Sequence, residues 1–261
     1  MAETDNVIIL YDGFRDTNVS ERPTSSKTLM VRFALSIKGI QHKTFWVDWP
    51  DIAIEATKVG APPTGELDGK PRYTVPFIYD PTTRTAISDS QKIIAYLETQ
   101  YPGSPSLFPP RTRTLQAALV QDGPHSVESR ILDAAGPLYR ARVLGILTPR
   151  GREHIRKLYK RLGRLEPKEL TDVEERKERI GEVLKVLGEI NGWFHEDGAD
   201  GPGGFLADEA PCNADVALAA TLTSMRNVVG ENSDLWQAIL VANGGKWAQY
   251  MDLFKAWYHV V

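Results

Sequence analysis

The chain has 261 residues, with 31 lysines and arginines against 34 aspartates and glutamates, and 42% of its residues are hydrophobic. This length allows one large or two medium domains with sizeable cores, and the near-neutral charge argues against a nucleic-acid binder, whose surface is strongly basic. The single cysteine, Cys212, excludes an intrachain disulfide, and no group of cysteines and histidines has the spacing of a zinc site.

The first hundred residues alternate short apolar runs with amphipathic segments. Residues 7–11 are short, β-branched and followed by Asp12-Gly13, which predicts a buried strand. Apolar side chains recur at helical spacing in residues 27–38, and Gly39 ends this pattern, which predicts the first helix. Further elements are expected as strands at 42–47, 75–79 and 85–88, the last two forming a hairpin, and as helices at 51–58 and 89–101.

This order of elements predicts a small α/β layer with a mixed sheet, because the first two strands need a right-handed crossover through the first helix. It is the pattern of a thioredoxin-like fold. The sequence therefore predicts a thioredoxin-like domain over residues 1–102, a proline-rich linker over 103–110 and an all-helical domain over 111–261. In the last of these, helical periodicity covers residues 115–119, 127–147, 153–165, 172–194, 213–228 and 235–258.

The chain has no apolar segment of the roughly 18 residues that a membrane span needs. Residues 1–6 are polar and acidic, and the apolar run that follows them is too short for a signal peptide. A cytosolic protein with no membrane or nucleic-acid partner and no metal is therefore expected.

Three hydroxyl residues, Thr24, Ser25 and Ser26, precede the first helix. A serine at this place caps the helix, since its oxygen accepts a hydrogen bond from a free backbone N–H. A hydroxyl at a helix start also donates to an anion, ideally a thiolate, with help from the positive end of the helix dipole. Both roles stay open at this point, and they can coexist in neighbouring residues.

A proline lies inside the third predicted strand, in the pair Val75-Pro76. Proline lacks the backbone donor of a strand ladder, so it belongs at an edge or at a special bend. A cis bond at this position would turn the Val75 amide outward, where it needs a partner. An edge-strand proline without a function is the alternative.

Ser88 and Gln91 match a capping box at the start of the helix expected at 89–101, and the box explains both residues. It does not explain Asp89 and Ser90. A hydroxyl and free N–H groups at a helix start bind a carboxylate, while an adjacent aspartate holds an ammonium group. Asp89 and Ser90 are therefore candidates for binding the head group of an α-amino acid.

The serine, the Val-Pro pair and the Asp-Ser helix start, in this order within residues 25–90, resemble the glutathione-binding half of the cytosolic glutathione transferases. In the second half, residues 211–217 (PCNADVA) resemble the family's buried helix-start motif Ser/Thr-x-x-Asp, with Cys212 in place of the hydroxyl residue and Asp215 retained. Within the family, the fungal FuA class, which is related to bacterial lignin β-etherases, is similar in the phrases KTLMVRFAL (27–35), FWVDWPDI (45–52) and YTVPFIYD (73–80).

The resemblance implies a glutathione transferase fold, a homodimer, and glutathione as co-substrate for attack on an aromatic or phenolic electrophile. In the FuA class the catalytic serine lies seven residues before the arginine of the first helix. Counting back from Arg32 gives Ser25, and the class pattern Ser-Pro-x-Thr-Trp-Lys is replaced here by SSKTLM, so Ser26 and Thr24 are contenders. The hydroxyl is expected to hold the glutathione sulfur as a thiolate.

The remaining contacts are also implied by the resemblance. The backbone of Val75, ahead of Pro76, pairs with the cysteinyl amide of glutathione, and Asp89 and Ser90 hold its γ-glutamyl end. Lys58 either reaches the glycyl carboxylate or is a solvated surface lysine. Two other functions are alternatives, namely storage or transport of aromatic metabolites, and glutathione-dependent cleavage of β-aryl ethers.

Overall fold

The structure is a computed structural model that describes residues 6–14, 23–194, 204–207 and 210–261. Its contacts divide these residues into two units. The first unit contains the described part of residues 1–105 together with 145–166 and 257–261, and the second contains 106–144 and the described part of 167–256. The predicted domain limits, 1–102 and 111–261, stay predictions; the first unit includes two segments that lie beyond the predicted linker.

A four-stranded mixed sheet forms the centre of the first unit, with the strand order β2-β1-β5-β6. Strand β1 is parallel to β2 and antiparallel to β5, and β5 is antiparallel to β6. A separate antiparallel hairpin is made by β3 and β4. The strands are β1 Ile8–Gly13, β2 His42–Val47, β3 Gly65–Leu67, β4 Lys70–Arg72, β5 Phe77–Asp80 and β6 Thr85–Ser88.

Four helices belong to the first unit: α1 Ser26–Ile37, α2 Ile52–Lys58, α3 Ser90–Gln100 and α6 Pro149–Arg161. Helix α1 packs against α3, and α2 covers an apolar cluster that includes Val47, Ile52, Ala56, Val75 and Phe77. The helix predicted at 51–58 begins later, because a 3-10 turn at Trp49–Asp51 precedes it. The thioredoxin-like α/β layer expected from the sequence is thus confirmed.

The second unit is helical. Its helices are α4 Arg113–Val120, α5 Val127–Gly145, α7 Val173–Gly192, α8 Asn213–Val229, α9 Asp234–Val241 and α10 Lys246–Leu253. Helix α5 bends at Gly136, which has a φ of 45°, directly before Pro137. The periodic stretch 235–258 is divided between α9 and α10, because Asn243 and Gly244 have positive φ angles of 50° and 67°. The prediction of an all-helical second half is confirmed, and within the described residues no helix is both long and apolar enough to span a membrane.

His42 opens β2 in a buried position that disfavours its charged form. Its Nδ1 lies 3.3 Å from the Ile40 carbonyl oxygen, so the neutral ring donates from Nδ1, while Nε2 is buried without a hydrogen-bond partner among the described residues. Burial is the main cause that lowers the pKa of His42 from 6.5 to about 4, and the nearby Arg32 and His259 lower it further.

The depressed pKa of His42 predicts a specific loss of stability in acid. Stability due to the neutral ring is fully present above pH 6.5 and is lost as the pH falls through about 4. We expect this loss to reduce the free energy of unfolding by about 2 to 3 kcal/mol across that window, measured by urea unfolding at several pH values. Carboxylates titrate in the same window, so His42→Gln is the control. If the free energy of unfolding fell with pH equally in the wild type and in this variant, the prediction would be contradicted.

Candidate functional site

Ser25 is the N-cap of α1, with the extended backbone that a cap requires. Its Oγ accepts a hydrogen bond from the Thr28 backbone N–H at 3.2 Å. Because a hydroxyl carries one donor and two lone pairs, this bond leaves the hydroxyl hydrogen for an anion at the positive end of the helix. Ser26 is the first residue of α1 and is buried, whereas Thr24 precedes the cap and is half-buried. Capping and anion binding are thus compatible at Ser25.

A buried ion pair joins α1 to the end of β1. The Arg32 guanidinium lies 3.4 Å from Asp12, with both side chains excluded from solvent, and it also donates to the His259 carbonyl oxygen at 3.2 Å. Burial raises the pKa of Asp12 and lowers the pKa of Arg32, and in each case the partner's charge opposes the shift. The helical spacing of residues 27–38 predicts Arg32 on the side opposite to the apolar residues, and this is wrong because the structure buries Arg32 completely. A buried arginine on an otherwise apolar helix is the signal that a carboxylate lies against it.

The Val75-Pro76 peptide bond is cis. Strand β5 begins at Phe77, so the strand start predicted at Val75 is wrong by two residues. The reason is that proline cannot donate to the ladder and remains outside it. Val75 is buried but precedes the first ladder pair, Tyr11 with Phe77, so its backbone is not committed to β1.

Asp89, not Ser88, caps α3. The Asp89 Oδ1 accepts hydrogen bonds from the backbone N–H groups of Gln91 and Lys92, each at 3.0 Å, and this leaves Oδ2 for a further partner. Ser88 is the last residue of β6, so the predicted capping box is wrong: the strand extends to the position that the box needs as its cap. Asp89 has a φ of 79°, a conformation that aspartate tolerates better than most residues. Ser90 follows as the first, buried residue of the helix.

Lys58 lies at the end of α2, where it forms an ion pair with Glu55, and its side chain is 62% exposed. This environment matches the solvated surface lysine that the sequence left as one of two possibilities. The glycyl-carboxylate role of Lys58 stays a prediction.

The strand register brings the other candidates to one edge of the sheet. Tyr11 near the end of β1 pairs with Phe77 at the start of β5, and Phe77 pairs with Ser88 at the end of β6. The residues just before β5 and just after β6 therefore lie beside the end of β1. These are Val75-Pro76 and Asp89-Ser90, and the Arg32–Asp12 pair joins α1, the helix that Ser25 caps, to the same strand.

Two family models match this chain. The N-terminal domain of glutathione S-transferase matches residues 24–100, and the C-terminal domain matches residues 115–257, which is more than half of the chain. The chain belongs to the glutathione S-transferase family.

Solved structures of fungal transferases are similar over almost the whole of this glutathione transferase. The Ceriporiopsis subvermispora transferase CsGST63524, solved in complex with glutathione, is 30% identical with a TM-score of 0.87, and the match covers 98% of this chain and 99% of that one. Transferase GSTFuA2 of Phanerochaete chrysosporium is 33% identical with a TM-score of 0.85 and the same coverage. A curated relative, the glutathione S-transferase-like protein ustS of Aspergillus flavus, is 26% identical over 95% of this chain and 87% of its own length. The resemblance to the FuA class is confirmed.

Proposed function

We propose that this transferase binds glutathione at the sheet edge formed by Ser25, Val75 and Asp89-Ser90, and that the Ser25 hydroxyl keeps the glutathione sulfur as a thiolate. The observation that supports the proposal is the register of β1, β5 and β6, which puts Val75-Pro76 and Asp89-Ser90 beside the end of β1. Each of these residues offers a group that suits one part of glutathione. The Ser25 hydroxyl can donate to the sulfur, the Val75 backbone lies outside the strand ladder and can pair with the cysteinyl amide, and the Asp89 carboxylate can accept from the ammonium group.

The chemistry follows from the thiol pKa. A free thiol has a pKa of about 8.5 and is mostly protonated at neutral pH, and each unit of depression requires about 1.4 kcal/mol of stabilisation of the thiolate. A donated hydrogen bond to a charged acceptor is worth about 1.5 to 3 kcal/mol, so the Ser25 hydroxyl, aided by the start of α1, suffices for one to two units. Ser26 is the second candidate for this donor because it lies one residue further along α1.

The thiolate then attacks an aromatic or phenolic electrophile. A sulfur–carbon bond forms, and the electron pair of the broken bond leaves with the displaced group. When the displaced group is an aryloxide, the same attack cleaves an aryl ether. Conjugation and ether cleavage therefore use one thiolate and differ in the bond that breaks. The homodimer and the cytosolic location expected from the sequence stay predictions.

A pH titration of the ultraviolet thiolate absorbance of bound glutathione tests the proposal. We expect the bound thiol to titrate at least about one pH unit below the free value of about 8.5. A protein that only carries aromatic metabolites would leave the thiol pKa unshifted, and that result would overturn the proposal. Product analysis with a model aryl ether then separates conjugation from cleavage, since only cleavage releases a free phenol.

A further inference from the structure

Asp12 lies at the sheet edge to which the proposed glutathione site belongs. It follows Tyr11, which pairs with Phe77 at the start of β5, so Asp12 lies beside Val75-Pro76. Its side chain is only 1% exposed. A buried carboxylate repels an anion, because solvent screens its charge only weakly. A thiolate therefore binds beside Asp12 only if the charge of this carboxylate is offset locally.

The Arg32 guanidinium supplies the offsetting charge. The Asp12 Oδ2 accepts a hydrogen bond from Arg32 at 3.4 Å, and Oδ1 accepts from the Gly13 backbone N–H at 2.8 Å. Among the described residues, the other hydrogen-bond partner of the guanidinium is the His259 carbonyl oxygen, and the Arg32 Nε has none. Arginine stays protonated in proteins even when it is buried. Loss of the Asp12 charge alone would therefore leave a full positive charge inside the first unit.

Arg32 is close enough to Ser25 for its charge to act on a bound sulfur. The two residues are seven positions apart along α1, which is about two turns or 10 Å, and residues at this spacing share one face of a helix. Long side chains of a helix also lean toward its N-terminus, which brings the guanidinium nearer to the cap. At about 10 Å and an effective dielectric constant of about 20, one uncompensated charge shifts a pKa by about one unit.

The other titratable residues near Arg32, within the described part of the chain, are Tyr258, His42 and His259. Burial keeps His42 neutral, with a pKa of about 4, and His259 contacts Arg32 through its backbone carbonyl. None of the three is a carboxylate. Asp12 is therefore the counter-charge of Arg32 among the described residues.

We propose that Asp12 is a positioning residue that acts on the bound thiolate through Arg32, because it neutralises the guanidinium and leaves the Ser25 hydroxyl and the start of α1 to hold the sulfur. This inference rests on the function proposed above. An uncompensated Arg32 would stabilise the thiolate further, and a thiolate of lower pKa is a weaker nucleophile. Asp12 thus limits the loss of reactivity that accompanies ionisation of the thiol.

Titration of the thiolate absorbance of glutathione bound to Asp12→Asn tests this proposal. We expect the thiol to titrate about 0.5 to 1 pH unit lower than in the wild type. At saturating glutathione, kcat/KM for dinitrochlorobenzene should rise about two- to threefold at about pH 5.5 and fall about two- to threefold above about pH 8, since more thiolate forms but each thiolate is less reactive. A merely structural role of Asp12 would lower the rate at every pH.

Two further variants make the test independent of the folding of Asp12→Asn, in which a buried arginine is left unpaired. The double variant Asp12→Asn/Arg32→Gln removes both charges, and loss of a whole buried pair is tolerated far better than loss of one partner. We expect its thiol pKa to lie within about 0.2 unit of the wild type. Glu98→Gln is the matched control. It breaks the buried Lys38–Glu98 pair at the other end of α1, about 20 Å from Ser25, and should also shift the thiol pKa by less than about 0.2 unit.

The outcomes are compared with the wild type measured in the same way. A thiol pKa in Asp12→Asn equal to or above the wild-type value would overturn the proposal, as would a shift of more than about 0.3 unit in the double variant. The proposed function itself fails on a different result, namely a wild-type thiol that titrates at the free value of about 8.5.

Discussion

Replacing Ser25 by alanine is expected to lower the turnover number with glutathione at least about tenfold while the affinity for glutathione changes by less than about threefold. The hydroxyl is proposed to contact sulfur, whereas Val75, Asp89 and Ser90 are proposed to hold the rest of the tripeptide. A shift of one unit in the thiol pKa corresponds to about 1.4 kcal/mol and hence to a factor of ten. Steady-state kinetics, with the thiolate titration of the same variant, measure both effects.

The substitution also removes a helix cap, since Ser25 accepts from the Thr28 N–H. Loss of such a cap costs about 1 kcal/mol of stability, which needs separation from the loss of activity. Ser25→Asp makes this separation because a carboxylate caps the helix but does not donate a hydrogen bond to a thiolate. We expect Ser25→Asp to be as stable as the wild type and as impaired as Ser25→Ala. If Ser26→Ala is instead the damaging change, the assignment of the donor is wrong by one residue.

Asp89→Asn is a complementary variant that tests the proposed contact with the γ-glutamyl end of glutathione. Asp89→Asn keeps an oxygen that accepts from the Gln91 and Lys92 N–H groups, and asparagine tolerates the positive φ of this position. The variant loses only the charge that is proposed to hold the γ-glutamyl ammonium group. It should therefore raise KM for glutathione and leave kcat nearly unchanged, the opposite of the result for Ser25→Ala.

Replacing Asp215 by alanine is expected to reduce the free energy of unfolding by about 3 to 5 kcal/mol. Asp215 lies in α8 and is fully buried. Its carboxylate accepts hydrogen bonds from the Leu206 N–H at 2.9 Å, the Cys212 N–H at 3.0 Å and the Tyr250 hydroxyl at 2.9 Å. Alanine would leave all three donors without this acceptor, and an unsatisfied buried group costs about 1 to 3 kcal/mol. Urea unfolding at neutral pH measures the loss.

Asp215→Asn is the matched variant, because it preserves the shape of the side chain and one acceptor oxygen. It is expected to lose less stability than Asp215→Ala. Cys212→Ser tests the neighbouring cap position, where burial is the main cause that raises the pKa of the thiol to about 12 and keeps it neutral. Because the carboxylate and its three donors remain, this change should cost under about 1 kcal/mol. A loss of the same small size in Asp215→Ala would show that the network is not required for stability.

The strands and helices that surround the site could be predicted from the sequence because their signals are local. The apolar run at the start of β1, the periodicity of α1 and the turn residues between β5 and β6 each act within about ten residues. The order of Ser25, Val75-Pro76 and Asp89-Ser90 was sufficient to suggest the family. That Val75-Pro76 and Asp89-Ser90 lie beside the end of β1 depends on the pairing of β1 with β5, which no local pattern contains.

The features that the sequence analysis missed depend on long-range contacts or on competition between two similar signals. The β3–β4 hairpin has no alternation of apolar residues, and its one signal was the turn pair Asp68-Gly69, in which both residues have positive φ angles. The cap of α3 is Asp89 and not Ser88, because both residue types are good caps and Ser88 is already the last residue of β6. The Arg150–Asp51 pair joins residues 99 positions apart, so no local pattern indicates it.

Residues 145–166 and 257–261 belong to the first unit although they follow the helices that begin the second. This interleaving has a practical consequence for the exchange of segments between relatives. A chimera that joins the amino-terminal part of one transferase to the carboxyl-terminal part of another at the linker would replace the partners of Asp48 and Asp51, and of Arg32 at His259, with foreign side chains and backbone. A chimera preserves these contacts of Asp48, Asp51 and Arg32 only when residues 145–166 and 257–261 are transferred together with residues 1–105.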